Sequence, residues 1–393
     1  MNYEKNRFAF AHVGISQYHQ AGFTGKRTKI LVFDDDFPIQ DTHLKNIVIP
    51  ISASMGKNYF TRNGRPSDHG LLTCDILHQV APGAEIYFCR STAGIAFGLN
   101  WAIKNNMDIF SLSMGYDWNN FSVREMAQQA AATKLILNTS AGNDAAKGLT
   151  NPARKPEFIS IGAGFVNLMT GRYERASYSS IGPELDFMAL TGRYAQGRTG
   201  SVQYRGTSCS CPIFSGMTAL YFERNGKIEG TEKYKDFVKE NCLDVYLPGK
   251  DDKTGYGFFK LPSLKNNKTL KEIILFIDRN FASVDGNIVS IDQSPYIVPE
   301  TSRTVVPISF IGRTLKHKVD WNEQTRQVII DDYIVLTIGS KEVKIGDEIA
   351  IIDQEPFIDR VSWRTMVPLS FVARELNYHV YWNGIARSIA ITT

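Results

Sequence analysis

A serine within residues 204–212 (Tyr-Arg-Gly-Thr-Ser-Cys-Ser-Cys-Pro) places the strongest constraint on what this chain can fold into. Ser208 follows Gly206, which permits a tight turn, and it precedes an apolar run, residues 213–220, with the character of a buried helix. Such a helix directs its first backbone N–H groups toward the serine, where they stabilise negative charge. A serine attacks only when a base takes its proton, and otherwise it simply caps the helix. Ser208 is therefore a candidate nucleophile if the sequence also supplies a base.

Asp34 and His69 supply the remaining parts of a triad. Residues 29–33 (Lys-Ile-Leu-Val-Phe) are typical of a buried strand, and Asp34 follows at its carboxyl end. His69 opens a segment with helical spacing, residues 69–77, after polar residues typical of a helix cap. Sites in open α/β sheets form beyond the carboxyl ends of strands. Asp34 is therefore the candidate acid and His69 the candidate base.

Asn143 is the candidate donor for an oxyanion. Residues 134–142 (Lys-Leu-Ile-Leu-Asn-Thr-Ser-Ala-Gly) predict a second buried strand that ends in small residues, and Asn143 comes directly after it. A side-chain amide at a strand end can donate to the negative oxygen of a tetrahedral intermediate. The plainer interpretation of Asn143 is a turn residue.

The order Asp34, His69, Asn143, Ser208 resembles that of the subtilisin-like serine proteases. The resemblance covers about residues 10–262 and implies an α/β fold in which a parallel sheet is flanked by helices. Further blocks match the family in order: residues 14–16 (Gly-Ile-Ser), 22–25 (Gly-Phe-Thr-Gly), 80–86 (Val-Ala-Pro-Gly-Ala-Glu-Ile), 111–115 (Ser-Leu-Ser-Met-Gly), 151–154 (Asn-Pro-Ala-Arg), 176–186 and 255–259.

The resemblance implies a role for each of these residues. Ser208 attacks the scissile carbonyl, His69 accepts its proton, and Asp34 orients the imidazole. Asn143 and the backbone amide of Ser208 bind the oxyanion. Two segments bind the substrate, the first as an added strand and the second as the pocket for the residue before the cleaved bond: Ser113, Met114 and Gly115, then Ser140, Ala141 and Gly142. Small side chains and the apolar Met114 predict a large apolar or aromatic residue in that pocket.

The chain departs from the family pattern at several positions near the triad. Asp35 and Asp36 stand where the family has Ser or Thr and then Gly, Leu72 replaces a second histidine, and Asp75 replaces a closing glycine. The two aspartates are expected to be solvated turn residues, with cation binding as the alternative. The departures leave the triad complete, but they motivate a second hypothesis of a catalytically impaired protein that binds peptides or has a structural role.

Composition predicts a globular enzyme of two or three domains in 393 residues. The net charge of +4, from 44 basic and 40 acidic residues, is too balanced to indicate a nucleic-acid partner. No apolar run approaches the roughly 18–20 residues that span a bilayer. Five cysteines without paired spacing predict reduced, buried thiols. Residues 1–7 lack the apolar core of a signal peptide, so synthesis in the cytoplasm is expected, followed by release or by association with a cell wall or phage-like particle.

An internal repeat defines the second part of the chain. Residues 303–310 (Arg-Thr-Val-Val-Pro-Ile-Ser-Phe) recur as residues 364–371 (Arg-Thr-Met-Val-Pro-Leu-Ser-Phe), and Trp321 recurs as Trp382. Each unit, about 285–331 and 346–393, predicts a strand ending at the proline, a short helix, and two strands around the tryptophan. We expect a small α+β domain, residues 265–393, following the protease domain, residues 1–264. The two tryptophans are predicted to lie in its core.

This repeat resembles the copper amine oxidase N-terminal-like stalk domain of bacterial surface enzymes. Residues 270–393 contain no His or Cys cluster with metal spacing, so no copper is expected. The module is predicted either to dock onto a cell-wall polymer or a partner protein, or to act as a spacer or dimerisation domain.

The sequence thus predicts a serine endopeptidase that acts on peptide or protein substrates and requires no cofactor. A structural calcium ion is compatible with the family resemblance, although no complete ligand set can be assigned. The alternatives are the impaired binding protein and a dedicated processing protease of a phage-like or wall-associated assembly. Digestion of denatured casein separates broad from dedicated cleavage.

Overall fold

The computed structural model describes residues 2–35, 42–51, 67–115, 121–167, 172–264, 272–376, 378–384 and 386–392. The chain divides into two compact units, Met1–Lys265 and Asn266–Thr393. The polar segment of residues 265–268 (Lys-Asn-Asn-Lys), at the boundary between the two units, lies outside the described residues.

The first unit alternates strands and helices along the chain. Its elements are α1 (Asn2–His12), α2 (Ile15–Gln20), β1 (Lys29–Asp34), β2 (Val48–Pro50), α3 (His69–Val80), β3 (Glu85–Arg90), α4 (Ile95–Lys104), β4 (Ile109–Leu112), α5 (Phe121–Ala131), β5 (Ile136–Ser140), β6 (Ile159–Val166), β7 (Tyr173–Arg175), β8 (Phe187–Leu190), β9 (Arg193–Gly197), β10 (Gly200–Tyr204), α6 (Thr207–Asn225), α7 (Thr231–Glu240), β11 (Cys242–Leu243) and β12 (Phe258–Phe259).

One large sheet organises this unit. Its strands lie in the order β11-β12-β8-β6-β5-β4-β1-β3-β2, with β7 beside β6, and the pairs from β8 through β2 are all parallel. Strand β1 lies inside the sheet between β3 and β4, and its residues Ile30–Phe33 are fully buried because helices cover both faces of a parallel sheet. Helices α4 and α5 pack over Leu31 and Phe33, and α6 packs against α3. This is the predicted parallel sheet flanked by helices.

Within its described residues, the second unit is built from short antiparallel strands and two helices. Its elements are β13 (Ile273–Phe276), β14 (Phe281–Val284), β15 (Asn287–Ser290), β16 (Tyr296–Val298), β17 (Arg303–Pro307), α8 (Ile308–Leu315), β18 (Val319–Asn322), β19 (Gln327–Ile330), β20 (Ile334–Thr337), β21 (Glu342–Ile345), β22 (Glu348–Ile351), β23 (Phe357–Ile358), β24 (Thr365–Pro368), α9 (Leu369–Glu375), β25 (His379–Asn383) and β26 (Ser388–Thr392). They form three sheets, β15-β14-β13-β26-β25, β16-β17-β24-β23 and β18-β19-β20-β21-β22.

The two repeats meet at β17 and β24, which pair antiparallel with Val306 opposite Val367. These two valines are equivalent positions of the repeat, 61 residues apart, so an approximate two-fold axis passes between them. Two reciprocal ion pairs obey the same symmetry, since Arg303 binds Asp353 and Arg364 binds Asp292. The repeat is therefore a symmetric pair that shares one apolar core. The prolines at the ends of β17 and β24 directly precede α8 and α9, as predicted.

The predicted burial of the two repeat tryptophans is wrong. Trp321 is 45% exposed and Trp382 is 52% exposed. They lie on β18 and β25, each the edge strand of its sheet, so each tryptophan has a neighbouring strand on one side only. The core is instead mostly aliphatic, with Phe310 and Phe371 as its buried aromatic residues, and Ile330 and Ile391 are among its fully buried members. The two tryptophans occupy equivalent places, but on the surface.

Among the described residues, none of the helices combines the length and the apolar character that crossing a bilayer requires.

His12 is fully buried at the end of α1. Its ring stands edge-on to Tyr173, and its backbone oxygen accepts the Tyr173 hydroxyl at 2.8 Å. Burial, helped by the charges of Lys260 and Arg193, lowers the pKa of His12 from 6.5 to about 3. An unfolded chain binds a proton at this histidine below pH 6.5, whereas the folded chain does so only near pH 3. Acid therefore favours unfolding of the first unit through this group.

We expect replacement of His12 by phenylalanine to reduce the acid sensitivity of the first unit. Between pH 7 and pH 5 the parent should lose about 2 kcal/mol of unfolding free energy through His12, and His12→Phe should not lose this contribution. Denaturant unfolding at both pH values measures the difference. His379→Gln, at an exposed histidine, is the matched control. If the parent and His12→Phe lost equal unfolding free energy between pH 7 and pH 5, His12 would not be the source of the acid sensitivity.

Candidate active site

The structure brings Asp34 and His69 together at the carboxyl edge of the sheet. Asp34 is the last residue of β1 and is fully buried, while His69 is the first residue of α3. The Asp34 Oδ1 atom lies 2.5 Å from His69 Nδ1 and also accepts the backbone N–H of Asp35 at 2.6 Å. A carboxylate only accepts hydrogen bonds, so the neutral His69 ring carries its hydrogen on Nδ1. The remaining ring nitrogen, Nε2, then carries the lone pair with which the ring can act as a base.

Ser208 lies at the N-terminus of α6, in the same cleft. Gly206 precedes the helix with a φ of 98°, a left-handed backbone conformation that favours glycine. The Gly206 N–H donates to the Tyr178 hydroxyl at 3.1 Å, which fixes the turn. The Ser208 hydroxyl donates to the backbone oxygen of Ser113 at 2.8 Å. The predicted nucleophile is therefore half-buried, at a helix N-terminus, and next to the predicted substrate-binding segment.

Asn143 is oriented by the first residue of the same helix. The Asn143 Oδ1 atom accepts the backbone N–H of Thr207 at 2.9 Å and its hydroxyl at 3.2 Å. Because Oδ1 faces these two donors, the Nδ2 group is the part of the amide that can donate to another acceptor. A Cβ atom at Gly206 would lie 3.3 Å from Asn143 Nδ2, so the glycine also leaves space beside the amide.

A cleft of about 620 Å³ joins these groups. It is lined by His69, Asn143 and Ser208, together with most of the predicted substrate-binding residues: Ser113, Met114, Gly115, Ser140 and Gly142. Ala141 is fully buried behind them, with its N–H bonded to the Ile161 oxygen. Asp35, Asp144 and Thr150 also line the cleft, so its wall is more polar than Met114 alone suggested.

Tyr204 is a site residue that the sequence analysis missed. It ends β10, four residues before Ser208, and its hydroxyl lies 3.2 Å from His69 Nε2. The same hydroxyl lies 2.9 Å from Thr73 Oγ1, one turn along α3 from His69. The only signal in the sequence was a tyrosine shortly before the nucleophile, and nothing in its spacing indicates that it reaches the histidine.

Asp75, the residue in place of the family's glycine, anchors the middle of α3. Its Oδ1 atom lies 2.6 Å from His43 Nε2, and its Oδ2 atom accepts Gln79 Nε2 and the backbone N–H of Gln196, both at 2.8 Å. Two of these partners, His43 and Gln196, come from other parts of the unit, and Gln79 lies one turn along the same helix. Asp75 thus joins the segment after β1 and strand β9 to the helix that carries His69.

A metal site is not evident where the structure can be described. Within those residues, no three His, Cys, Asp or Glu side chains converge as ligands would. Asp36, weighed above as a ligand, lies outside the described residues. Structural calcium stays a prediction.

Comparisons with known proteins agree with this geometry. A family model described as "Subtilase family" matches residues 53–257, and one described as "Copper amine oxidase N-terminal domain" matches residues 263–330 and 283–391. Subtilisin NAT of Bacillus subtilis subsp. natto is 28% identical over 242 residues, which is 54% of this chain and 61% of that protein. Minor extracellular protease Epr of Bacillus subtilis (strain 168) is 26% identical over 273 residues, 63% of this chain and 40% of the relative. The chain thus matches less than two thirds of the length of these relatives.

Solved structures show the same fold at low sequence identity. The crystal structure of a lanthipeptide protease superposes with a TM-score of 0.53 and 18% identity, covering 66% of this chain and 93% of that one. Sphericase superposes with a TM-score of 0.51 and 20% identity, covering 61% and 93%.

Five cysteines are free thiols, and four of them, Cys74, Cys89, Cys209 and Cys211, are buried. Burial raises the pKa of Cys209, next to the nucleophile, to about 11, and raises the pKa of Cys89 and of Cys211 to about 12. Thiolates are the reactive form of cysteine, so these thiols are inert at neutral pH. Cys209 is a packing residue in this structure, as the sequence suggested.

We expect the native protein to resist alkylation by iodoacetamide at pH 7, whereas the denatured protein should take up five adducts, which intact mass counts. Cys242→Ser removes the one half-buried thiol and should leave a native protein without adducts. Rapid native modification of Cys209 in that variant would contradict the assignment of a protonated, buried thiol.

Proposed function

Because this chain belongs to the subtilase family of serine proteases, we propose that it hydrolyses peptide bonds through Ser208, His69 and Asp34. The observation that carries the proposal is the 2.5 Å contact between Asp34 Oδ1 and His69 Nδ1, with Ser208 lining the same cleft as His69. This pairing holds the imidazole in the tautomer whose Nε2 atom can accept a proton. The chemistry needs no cofactor.

In the first half of the reaction, the Ser208 hydroxyl turns from the Ser113 carbonyl toward His69. Its oxygen attacks the scissile carbonyl carbon while its proton passes to Nε2, and the imidazolium is stabilised by the Asp34 carboxylate. The carbonyl oxygen becomes an oxyanion that Asn143 Nδ2 and the Ser208 N–H can bind. When the C–N bond breaks, the proton on Nε2 goes to the leaving amine and an ester on Ser208 remains.

In the second half, water takes the place of the amine. His69 accepts a proton from the water as its oxygen attacks the ester carbonyl, and the same two donors bind the second oxyanion. Collapse of this intermediate breaks the bond to Ser208, and His69 returns the proton to the serine oxygen. The acid product leaves and the enzyme is regenerated.

The substrate is proposed to lie along residues 113–115 as an added strand. This segment continues β4, beside the catalytic edge of the sheet, and the Ser113 carbonyl is already within reach of Ser208. The residue before the cleaved bond would enter between Met114 and residues 140–142. Met114 favours an apolar side chain there.

We expect Ser208→Ala to abolish labelling by a fluorophosphonate probe, because the adduct forms on the nucleophilic oxygen itself. Asn143→Ala should retain the Ser208 adduct but lower kcat by about 10²–10³, the usual loss for one oxyanion donor. Intact mass and hydrolysis of denatured casein measure the two effects. Ser122→Ala, at an exposed serine of α5, is the control. A Ser208→Ala protein that still hydrolyses casein would exclude Ser208 as the nucleophile.

We also propose that the second unit docks onto a cell-wall polymer. The supporting observation is the exposure of Trp321 and Trp382 at equivalent repeat positions, since aromatic faces offer stacking surfaces for sugar rings. Two equivalent platforms on one unit would let a repetitive polymer bind at both, which strengthens weak contacts.

The full-length double variant Trp321→Ala/Trp382→Ala is expected to bind insoluble peptidoglycan about tenfold more weakly, from the loss of two aromatic contacts. Its hydrolysis of a soluble peptide should not change. A co-sedimentation assay measures binding. Trp363→Ala is the matched control, since Trp363 is 77% exposed but has no aromatic equivalent in the other repeat. Equal loss in both variants would exclude a specific role for the repeat tryptophans.

A further inference from the structure

A tyrosine hydroxyl occupies the hydrogen-bonding position at the catalytic base. Tyr204 is only 6% exposed, and its ring packs edge-on against the His69 ring, with centroids 5.7 Å apart and an interplanar angle of 88°. This packing directs the phenol oxygen to within 3.2 Å of Nε2, the nitrogen that would accept the proton of Ser208.

The direction of each hydrogen bond follows from the Asp34 contact. With its hydrogen on Nδ1, the neutral His69 ring offers only a lone pair at Nε2, so the Tyr204 hydroxyl must donate there. The Tyr204 oxygen can then accept from the Thr73 hydroxyl, 2.9 Å away. Burial, and next the negative charge of Asp34, hold the pKa of Tyr204 well above its usual value, which keeps the phenol protonated as a donor.

Ser208 does not use the same lone pair in this conformation. A serine hydroxyl has one hydrogen, and that of Ser208 is directed to the Ser113 carbonyl at 2.8 Å. Tyr204 and Ser208 are thus two donors for one acceptor, of which the tyrosine is engaged. Catalysis requires the exchange of one for the other.

We propose that Tyr204 is a positioning residue that holds His69 in a resting state and yields Nε2 to Ser208 when a substrate is engaged. The inference rests on the proposed function of the same site and adds a regulatory step before the attack. No covalent bond changes in this step, because one hydrogen bond to Nε2 replaces another.

Thr73 makes the exchange feasible in a buried site. A buried phenol that releases Nε2 must find another acceptor, since an unsatisfied buried donor is costly. Both partners of the Tyr204–Thr73 contact are hydroxyls, and either can be the donor. When Tyr204 leaves His69, it can donate to Thr73 instead. Thr73 is fully buried on α3 and serves as the alternative partner.

The first test compares two substitutions with opposite expected effects on fluorophosphonate labelling of Ser208. Tyr204→Phe removes the competing donor and should accelerate labelling about fivefold, the equivalent of one net hydrogen bond. Thr73→Val removes a buried hydroxyl that can accept from Tyr204 on release and should slow labelling about fivefold. If Tyr204 and Thr73 had only a structural role, both substitutions would slow the labelling of Ser208. Slower or unchanged labelling of folded Tyr204→Phe would overturn the proposal.

Tyr234→Phe provides the matched control. Tyr234 is fully buried and its hydroxyl donates to Thr218 at 2.9 Å, so it is a second buried tyrosine–threonine pair in the same unit. Its loss should leave the labelling rate of Ser208 unchanged. Acceleration by Tyr234→Phe as large as that by Tyr204→Phe would show a general loosening of the fold and overturn the proposal.

Nitrogen-15 NMR of His69 separates this inference from the proposed function. In the Ser208→Ala protein, where no adduct can form, Tyr204→Phe should shift the Nε2 signal and Tyr234→Phe should not. An unshifted Nε2 signal would overturn the proposal whatever the activity. The Nε2 signal could shift even if fluorophosphonate labels Ser208 neither in the parent protein nor in Tyr204→Phe. That result would support the Tyr204 contact and reject the proposed hydrolysis.

Discussion

The hydrogen bond between Asp34 and His69 is the constraint on which the site depends. A carboxylate with no exposure is costly unless donors satisfy it. The Asp35 N–H and the His69 ring both donate to Asp34 Oδ1, whereas Asp34 Oδ2 accepts no hydrogen bond from the described residues. Asp34 ends β1, an interior strand of the sheet with fully buried residues, and His69 begins α3, so this bond fixes the start of the helix relative to the sheet. The direction of Nε2 into the cleft follows from that attachment.

The end of β5 is attached to the start of α6 in the same way. Asn143 follows β5, and its Oδ1 atom binds the first N–H of α6. This bond joins the turn at Gly206 to the sheet and places Ser208 beside the Ser113 carbonyl at the end of β4. Three strand ends and two helix starts therefore converge on one cleft. The convergence arises because parallel strands place all their carboxyl ends at one edge.

Much of this arrangement could be predicted from the sequence, because apolar runs followed by polar residues identify strand ends. The positions of Asp34, Asn143 and Ser208 on their elements follow from such local patterns. The Tyr204 contact with His69 and the anchoring of Asp75 by His43 could not be predicted, since they join residues far apart in sequence through side-chain direction. The repeat showed that Trp321 and Trp382 are equivalent, but periodicity does not reveal whether a strand lies at an edge.

The two-fold symmetry of the second unit shows what fixes a repeat in one register. Its reciprocal ion pairs, Arg303 with Asp353 and Arg364 with Asp292, are about half exposed, so each contributes at most about 1 kcal/mol. Their effect is on alignment: a one-residue slip of β17 against β24 would separate both pairs and turn Val306 and Val367 away from the core. The buried valines supply the energy, and the charges favour the register in which the two repeats are equivalent.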